Sequence, residues 1–150
     1  MSWTPKFGRG LKLGIVAIVT AASACTDQTP KEPPKVELSD GNVVITSTRN
    51  AAASVRYRII QGRPRAGKWY TLSLTILAEK NNRGFDLYSG DASGLSTEGT
   101  FRKEFTIEPP GKPWTPGETV KYYFVLYEGA SKDGRSSGIS NKSEGQTQVP

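Results

Sequence analysis

The amino-acid sequence predicts an all-β fold, a single antiparallel sandwich of about seven strands. Short runs in which apolar and polar residues alternate recur beyond residue 35, and Gly, Asn, Asp and Pro separate them. Alternation with a period of two is typical of strands that bury one face. No window keeps the helical period, and no internal repeat is apparent. Strands of this length and spacing favour a β-sandwich.

The predicted domain begins with a hairpin. Residues 36–38 and 43–48 are β-prone runs, and residues 39–42 between them contain Asp-Gly, a common hairpin turn. The next strand, residues 54–60, alternates apolar residues with two arginines. Its inward face is predicted to hold Val55, Tyr57 and Ile59, and its outward face Arg56 and Arg58.

Three further strands are predicted in the middle of the chain. Residues 69–78 alternate cleanly, so that one face carries Tyr70, Leu72, Leu74 and Ile76 and the other Thr71, Ser73 and Thr75. Residues 85–88 form a short strand. Residues 101–107 direct Phe101, Phe105 and Ile107 inward. Lys103 shares their parity, and we therefore expect it near an edge of its sheet.

The strongest strand is residues 119–127, and a polar tail follows with one or two weak strands around Ile139 and Val149. The inward residues of the strong strand are Val120, Tyr122, Phe124 and Leu126. Residues 114–122, W-T-P-G-E-T-V-K-Y, resemble the Pro-Gly turn and following strand of fibronectin type III and related bacterial Ig-like domains. Residues 134–140, G-R-S-S-G-I-S, resemble the loop before their last strand. The resemblance implies an Ig-like sandwich in residues 36–150, a fold that hosts many functions and assigns none.

A targeting segment precedes this domain. Lys6, Arg9 and Lys12 are the only charges in the first 26 residues, and residues 13–24 are uncharged. That run is shorter than the about 20 apolar residues that cross a hydrocarbon core of ~30 Å. A basic opening, a short apolar run and small residues indicate a secretory signal peptide, residues 1–24. Ala22-Ser23-Ala24 is a site for ordinary signal peptidase, which leaves simple secretion as one outcome.

Cys25 follows the signal peptide and is the single cysteine. Residues 21–25, A-A-S-A-C, resemble the lipobox of bacterial lipoprotein precursors, in which cleavage precedes the cysteine and its sulfur carries diacylglycerol. A thioether would remove an odd thiol from an oxidising compartment. The resemblance implies a lipid anchor at Cys25 and an address in the bacterial cell envelope. Because Thr26 rather than Asp follows the cysteine, the resemblance favours a location at the outer membrane, on either its periplasmic or its surface face.

Residues 25–35 are predicted to connect the anchored cysteine to the domain as a flexible spacer. They contain Pro30, Pro33 and Pro34 and no large apolar side chain. Such a segment extends ~3.1 Å per residue where it is polyproline-like. The spacer would lift the domain off the lipid headgroups.

The composition excludes several kinds of catalytic site. The chain has no histidine, and without it Ser-His-Asp triads, Cys-His dyads and ordinary zinc sites are excluded. The spacing of Asp86 and Asp91 matches no EF-hand loop for Ca²⁺. A glycosidase pair would have to come from Glu98, Glu104 and Glu108, and nothing in the sequence marks a cleft there. We therefore predict a non-enzymatic protein without a cofactor or a metal.

The most distinctive feature of the domain is a charge asymmetry. Residues 41–78 contain six basic residues and no acidic one. Such a region gives a positive potential suited to phosphate or carboxylate groups. We predict an anionic partner, such as lipid headgroups, an acidic glycan or an acidic protein face, whereas nucleic acid is not expected at this address. The predicted contact residues are Arg56, Arg58, Arg63, Arg65 and Lys68. The alternative is a solvated edge that charge keeps soluble.

Aromatic residues offer a second candidate surface. Exposed rings stack on sugars or anchor protein partners. Two tyrosines lie on the outward face of the strongest strand and three further aromatics fall at strand ends or loops: Tyr123, Tyr127, Trp69, Tyr88 and Trp114. Three classes of non-catalytic envelope protein thus compete: an assembly lipoprotein, such as the transthyretin-like lipoproteins of secretion systems, a carbohydrate-binding module, and a surface adhesin or inhibitor.

Overall fold

Eight strands and one short 3₁₀ turn follow one another in residues 30–150, the part of the chain that the computed structural model describes. The predicted signal peptide and Cys25 lie outside the described residues. The strands are β1 (Lys35–Ile45), β2 (Asn50–Gln61), β3 (Trp69–Leu77), β4 (Arg83–Asp91), β5 (Glu98–Thr106), β6 (Thr119–Gly129), β7 (Ser136–Gly138) and β8 (Ser143–Gln148). The 3₁₀ turn, Ala92–Gly94, lies between β4 and β5.

The strands form two sheets that pack face to face. The first sheet has the order β1-β2-β5, and the second has the order β4-β3-β6-β7, with β8 also paired to β6. The strand pairs are antiparallel. β7 and β8 share the edge of β6 that faces away from β3, and they are the weak strands expected near Ile139 and Val149. The predicted all-β, Ig-like and fibronectin type III-like sandwich is confirmed.

Alternating apolar residues from both sheets build the core, as the period of two predicts. The inward residues of β3 and β6 are almost fully shielded from solvent: Tyr70, Leu72, Leu74, Ile76, Val120, Tyr122, Phe124 and Leu126. β2 and β5 cover them with Val55, Tyr57 and Phe105. β5 is an edge strand, and Lys103 on it donates through Nζ to the Asp86 carbonyl oxygen on β4 at 2.8 Å. Lys103 therefore lies at a sheet edge, as predicted.

The predicted hairpin of residues 36–48 is wrong, because β1 is one continuous strand along β2. Ser39 pairs with Arg56 and Asn42 with Ser54, so three steps on β1 oppose two on β2. The extra residue forms a β-bulge, and Asp40 adopts φ 51° within it. An Asp-Gly pair suits a bulge as well as a turn, because both need backbone conformations that these residues tolerate.

The chain before β1 also packs against the sandwich. Pro34 is fully buried, and the Arg65 Nη1 atom donates to the Lys31 carbonyl oxygen at 2.7 Å. The predicted spacer reaches residue 35, whereas the structure holds residues 31–34 against the domain. We call the end of the sandwich where β1 begins, and where β2 runs into β3, the proximal end, and the opposite end the distal end.

Candidate functional site

The five predicted partner-binding residues do not form one surface. Arg56 and Arg58 lie on the outer face of the first sheet, as their parity predicts, with about two thirds of each side chain exposed, 65% and 63%. Each contacts a carboxylate of β1, Arg56 with Asp40 at 3.3 Å and Arg58 with Glu37 at 3.5 Å. These acidic partners come from the predicted hairpin region and offset the positive potential of the arginines.

Arg65 is placed differently from the prediction, inside the proximal end. Its side chain is 16% exposed, and its guanidinium pairs with the buried carboxylate of Glu128 on β6. The Arg65 Nε atom donates to Glu128 Oε2 at 3.1 Å, and Nη2 donates to Oε1. The fourth member, Arg63, is exposed, and the fifth, Lys68, is half-buried beside this cluster. Partner contact through Arg56, Arg58, Arg63 and Lys68 stays a prediction, while the Arg65 guanidinium has an internal role.

Tyr70 completes this internal cluster. Its hydroxyl donates to Glu128 Oε2 at 2.7 Å and accepts the Arg65 backbone N–H at 2.7 Å. Burial raises the pKa of Tyr70 to about 12. Burial alone would raise the pKa of Glu128, but the hydrogen bonds from Arg65 and Tyr70 outweigh it and hold that pKa below its ordinary value. The hydrogen bond to Glu128 raises the pKa of Arg65. The cluster is a neutralised, satisfied ion pair that joins β3, β6 and the loop before β3.

The five candidate aromatics divide between the interior and one surface. Trp114 is buried in the core, and Tyr88 stacks on Phe101 with ring centroids 5.0 Å apart. Trp69, Tyr123 and Tyr127 are half-buried on the outer face of the second sheet. The Trp69 Nε1 atom donates to Ser89 Oγ at 2.9 Å. Lys142 places its Nζ atom 4.7 Å from the centroid of the Tyr123 ring.

A shallow groove of ≈ 480 Å³ lies on this outer face, and we call it the second-sheet groove. Its floor is a column of hydroxyl side chains on β3 that alternate with core residues and therefore point outward, about 7 Å apart. The column is Thr71, Ser73 and Thr75. The remaining polar and aromatic lining residues are Phe85, Asp86, Ser89, Tyr127, Lys132, Asp133 and Ser136.

Strand register places an aromatic flank and a polar flank on either side of the hydroxyl column. On β6, Tyr127 is directly opposite Thr71 and Tyr123 is directly opposite Thr75. On β4, Ser89 is opposite Thr71 and Asp86 is opposite Ser73. The Ser73 hydroxyl donates to Asp86 Oδ1 at 2.9 Å, which orients a carboxylate that retains further acceptor sites. The groove thus offers hydroxyl donors, acceptors and the Tyr127 ring, whereas Tyr123 lies beside the groove with the Lys142 ammonium group over its ring.

The carboxylates considered for calcium binding or catalysis cap a turn or stand far apart. Asp91 caps the 3₁₀ turn by accepting from the Ser93 N–H at 2.9 Å, and its hydrogen bonds with Ser93 lower its pKa. Glu98 and Glu104 stand six positions apart on β5, about 20 Å at strand spacing, whereas glycosidase carboxylates are about 5–10 Å apart. Within residues 30–150, no group of three or more His, Cys, Asp or Glu residues is arranged to hold a metal ion. No helix in this part of the chain is long and apolar enough to span a membrane.

No family model matches the chain, and no curated protein matches it. Similar solved structures include a chain assigned as a β-galactosidase from Bacteroides fragilis, with a TM-score of 0.40 and 18% identity, over 76% of this chain and 17% of that one. The β-glucosidase 3B of Thermotoga neapolitana gives a TM-score of 0.38 and 16% identity, over 78% of this chain and 17% of that one. A β-glucosidase from Kluyveromyces marxianus gives 0.30 and 16%, over 79% and 14%. The chain spans less than a fifth of these proteins, and the similarity assigns no function.

The second-sheet groove combines residues that the sequence pattern placed separately. The alternation on β3 predicts that Thr71, Ser73 and Thr75 point outward, and the same parity places Tyr123 and Tyr127 outward on β6. What the pattern does not provide is the register between strands or the β-bulge at Leu87, which sets Asp86 opposite Ser73. A search for hydroxyl-rich outward faces beside outward aromatics would have selected this sheet.

Proposed function

We propose that this chain is a lipid-anchored, non-catalytic module of the bacterial envelope that binds a carbohydrate chain in the second-sheet groove. The proposal joins two parts. The anchor rests on the lipobox resemblance of residues 21–25 and on Cys25 being the single cysteine. The ligand class rests on the groove.

The observation that favours a carbohydrate ligand is the pairing register of β3 with β4 and β6, because it determines which side chains surround the groove. Hydroxyls at Thr71, Ser73 and Thr75 stand between two tyrosines on one side and Asp86 and Ser89 on the other. Sugars present hydroxyl groups that both donate and accept, together with apolar C–H faces that pack on aromatic rings. Hydroxyl and carboxylate side chains beside a ring face are the complementary set for such a ligand.

The charge of the groove further restricts the class of carbohydrate that is expected to bind. Its lining includes two carboxylates, Asp86 and Asp133, and one ammonium group, Lys132. An excess of negative charge disfavours acidic glycans, because like charges brought together at a binding surface cost affinity. The expected ligand is therefore a neutral or amino-sugar chain.

The competing proposal is capture of an anionic partner by the outer face of the first sheet. The run of basic residues between positions 41 and 78 supports it, and the ion pairs of Arg56 with Asp40 and Arg58 with Glu37 count against it. The two proposals differ in salt dependence. Contacts between exposed charges are screened within ~8–10 Å at physiological ionic strength, whereas hydrogen bonding and stacking to a neutral sugar are much less sensitive to salt.

The test is a screen of neutral, amino-sugar and acidic oligosaccharides, followed by titration calorimetry with the sugars that bind. Tyr127→Ala should weaken binding about fivefold, because one stacked ring contributes on the order of 1 kcal/mol. Thr75→Val should also weaken it, since it removes a hydroxyl at nearly constant volume. The control, Arg56→Glu with Arg58→Glu, should leave sugar affinity unchanged.

Three results would reject the glycan proposal: no binding to any sugar, binding that Tyr127→Ala leaves intact, or binding that falls steeply as salt rises and is lost in the Arg56→Glu, Arg58→Glu variant. The last result would favour the first-sheet surface instead.

A further inference from the structure

The path of the chain into the sandwich is fixed at the proximal end. The Arg65 guanidinium binds the Lys31 carbonyl oxygen with one nitrogen while the Glu128 carboxylate holds the others. Pro34 is buried just beyond, three positions along the chain. Lys31 is therefore held beside the loop between β2 and β3.

The covalent distance from Lys31 to the predicted anchor is short. Six residue steps separate Cys25 from Lys31. A fully extended chain covers at most ~3.6 Å per residue, so Lys31 lies within about 20 Å of the lipidated sulfur. This step rests on the proposed function, because it requires that Cys25 carries the acyl chains. The proximal end then stays close to the bilayer surface.

The segments held together at this end are basic. Residues 31–35 and 62–68 contain five basic residues and a single acidic residue, Glu32. Glu128 offsets Arg65, and the lysines of these segments are Lys31, Lys35 and Lys68. An anionic membrane surface attracts such residues within about a Debye length of the headgroups.

An apolar surface lies next to these charges. The side chain of Ile60 at the end of β2 is 55% exposed, and it lines a depression with Pro33, Pro34 and Ile139. Lys35 and Arg58 border this depression together with Glu32 and Glu37, and Glu37 is paired with Arg58. An exposed apolar group with basic residues beside it is typical of surfaces that rest in the headgroup region of a bilayer.

We propose that the proximal end, with Lys31, Lys35, Lys68 and Ile60, docks on anionic lipid headgroups and orients the sandwich with its distal end away from the membrane. Both sheets then stand upright on the bilayer, because their strands run between the two ends. The second-sheet groove opens to the side rather than toward the lipid. Part of the positive charge for which the sequence predicts an anionic partner would serve this orientation.

The test places a fluorophore at each end of the acylated, full-length protein. Ala66→Cys marks the proximal end and Thr115→Cys the distal end, both exposed positions. Acylation of Cys25 leaves the introduced cysteine as the single reactive thiol. The proteins are reconstituted in vesicles of phosphatidylethanolamine and phosphatidylglycerol, and headgroup-attached quenchers report proximity.

We expect quenching at position 66 to exceed quenching at position 115 several-fold in the anionic vesicles, and to decrease in phosphatidylcholine vesicles or at high salt. Lys31→Glu with Lys35→Glu, two exposed lysines of the proximal end, should reduce the difference between the two positions. Lys80→Glu with Lys112→Glu, a matched pair of exposed distal lysines, should not. Thermal unfolding of each variant confirms that it is folded.

Equal quenching at the two positions would overturn the proposal, as would a difference that is insensitive to lipid charge. Shielding of position 66 that grows with protein concentration without anionic lipid would assign this end to a second copy of the chain. A failure of the anchor itself is distinguishable, because unacylated protein would not float with phosphatidylcholine vesicles and would retain a free Cys25 thiol. Loss of sugar binding would leave the result unaffected.

Discussion

Glu128 is the buried charged residue of the described chain, and its neighbours determine whether the proximal end is stable. A carboxylate removed from water is costly unless it is paired and hydrogen-bonded. Arg65 supplies the opposite charge and Tyr70 a further donor, so both carboxylate oxygens are satisfied. Because Arg65 also binds the Lys31 carbonyl, the same residues connect the interior to the point where the chain enters the domain.

The pKa values of this cluster predict how stability depends on pH. The pKa of Glu128 is lower in the folded state than its ordinary value of 4.5, so the unfolded chain takes up the proton first as the pH falls. The contribution of Glu128 is present above pH 4.5 and is lost as the pH falls through its folded pKa. The pKa of Tyr70 is raised from 10.0 to about 12, so its contribution is lost as the pH rises across that interval.

Glu128→Gln should lower the free energy of unfolding by about 3 kcal/mol at neutral pH, because it leaves the Arg65 charge without its partner. It should also flatten the acid limb of a plot of that free energy against pH, measured by urea unfolding followed through tryptophan fluorescence. Glu37→Gln, at the exposed pair with Arg58, should change it by less than about 1 kcal/mol. An acid limb of unchanged steepness in Glu128→Gln would contradict this role of Glu128.

At the scale of elements, the bulge in β1 is where the first sheet meets β6 and β8 of the second. A Cβ atom on Gly41 would overlap Ser143 Oγ and lie 2.9 Å from the Phe124 ring. The Tyr122 hydroxyl also donates to the Gly41 carbonyl oxygen at 3.3 Å. The close approach, rather than a turn, is what requires a glycine here.

Gly41→Ala should therefore destabilise the domain by about 1–3 kcal/mol, the range for overpacking a tight contact. The matched control is Gly84→Ala on β4, where a Cβ atom meets nothing within 4 Å. Gly84→Ala should be close to neutral in urea unfolding. Equal stability of the two variants would show that β1 does not approach β6 and β8 this closely.

Asn141 makes a second connection between the sheets that no strand pattern describes. Its side-chain oxygen accepts the Leu38 N–H at 2.7 Å, and its amide nitrogen donates to the Leu38 carbonyl at 3.0 Å. The Asn141 side chain thus makes the two hydrogen bonds to Leu38 that a neighbouring strand would otherwise make. The two bonds satisfy backbone groups at the free edge of the first sheet.

The sequence pattern predicts the strands whose two faces differ and misses features that depend on distant partners. β2, β3 and β6 are predicted because each strand buries one face, so that its apolar residues recur with a period of two. In β3 this pattern runs from Tyr70 to Ile76, and in β6 from Val120 to Leu126. The bulge at Asp40 is missed because the same dipeptide forms turns. The internal place of Arg65 is missed because its partner Glu128 is 63 positions away. In the second-sheet groove, the outward hydroxyls are predictable, and the acidic flank is not, since it depends on the register of β4.

At the scale of the whole molecule, we propose separate roles for the two ends and the two sheets. The proximal end receives the chain and carries basic and apolar groups toward the lipid. The outer face of the second sheet offers hydroxyl, carboxylate and aromatic groups to a sugar chain. The arginines on the outer face of the first sheet are largely offset by the carboxylates of β1. The proposed lipid anchor at Cys25 would link these roles, because it would keep the proximal end near the membrane.

The proposed acylation of Cys25 can be measured on the purified protein. The protein is purified from the membranes of a bacterium that expresses the full chain, and its intact mass and N-terminal peptide are determined by mass spectrometry. We predict a chain that begins at Cys25 and carries acyl groups on that residue. A mature chain with an unmodified Cys25 thiol, or a chain that retains residues 1–24, would contradict the central claim.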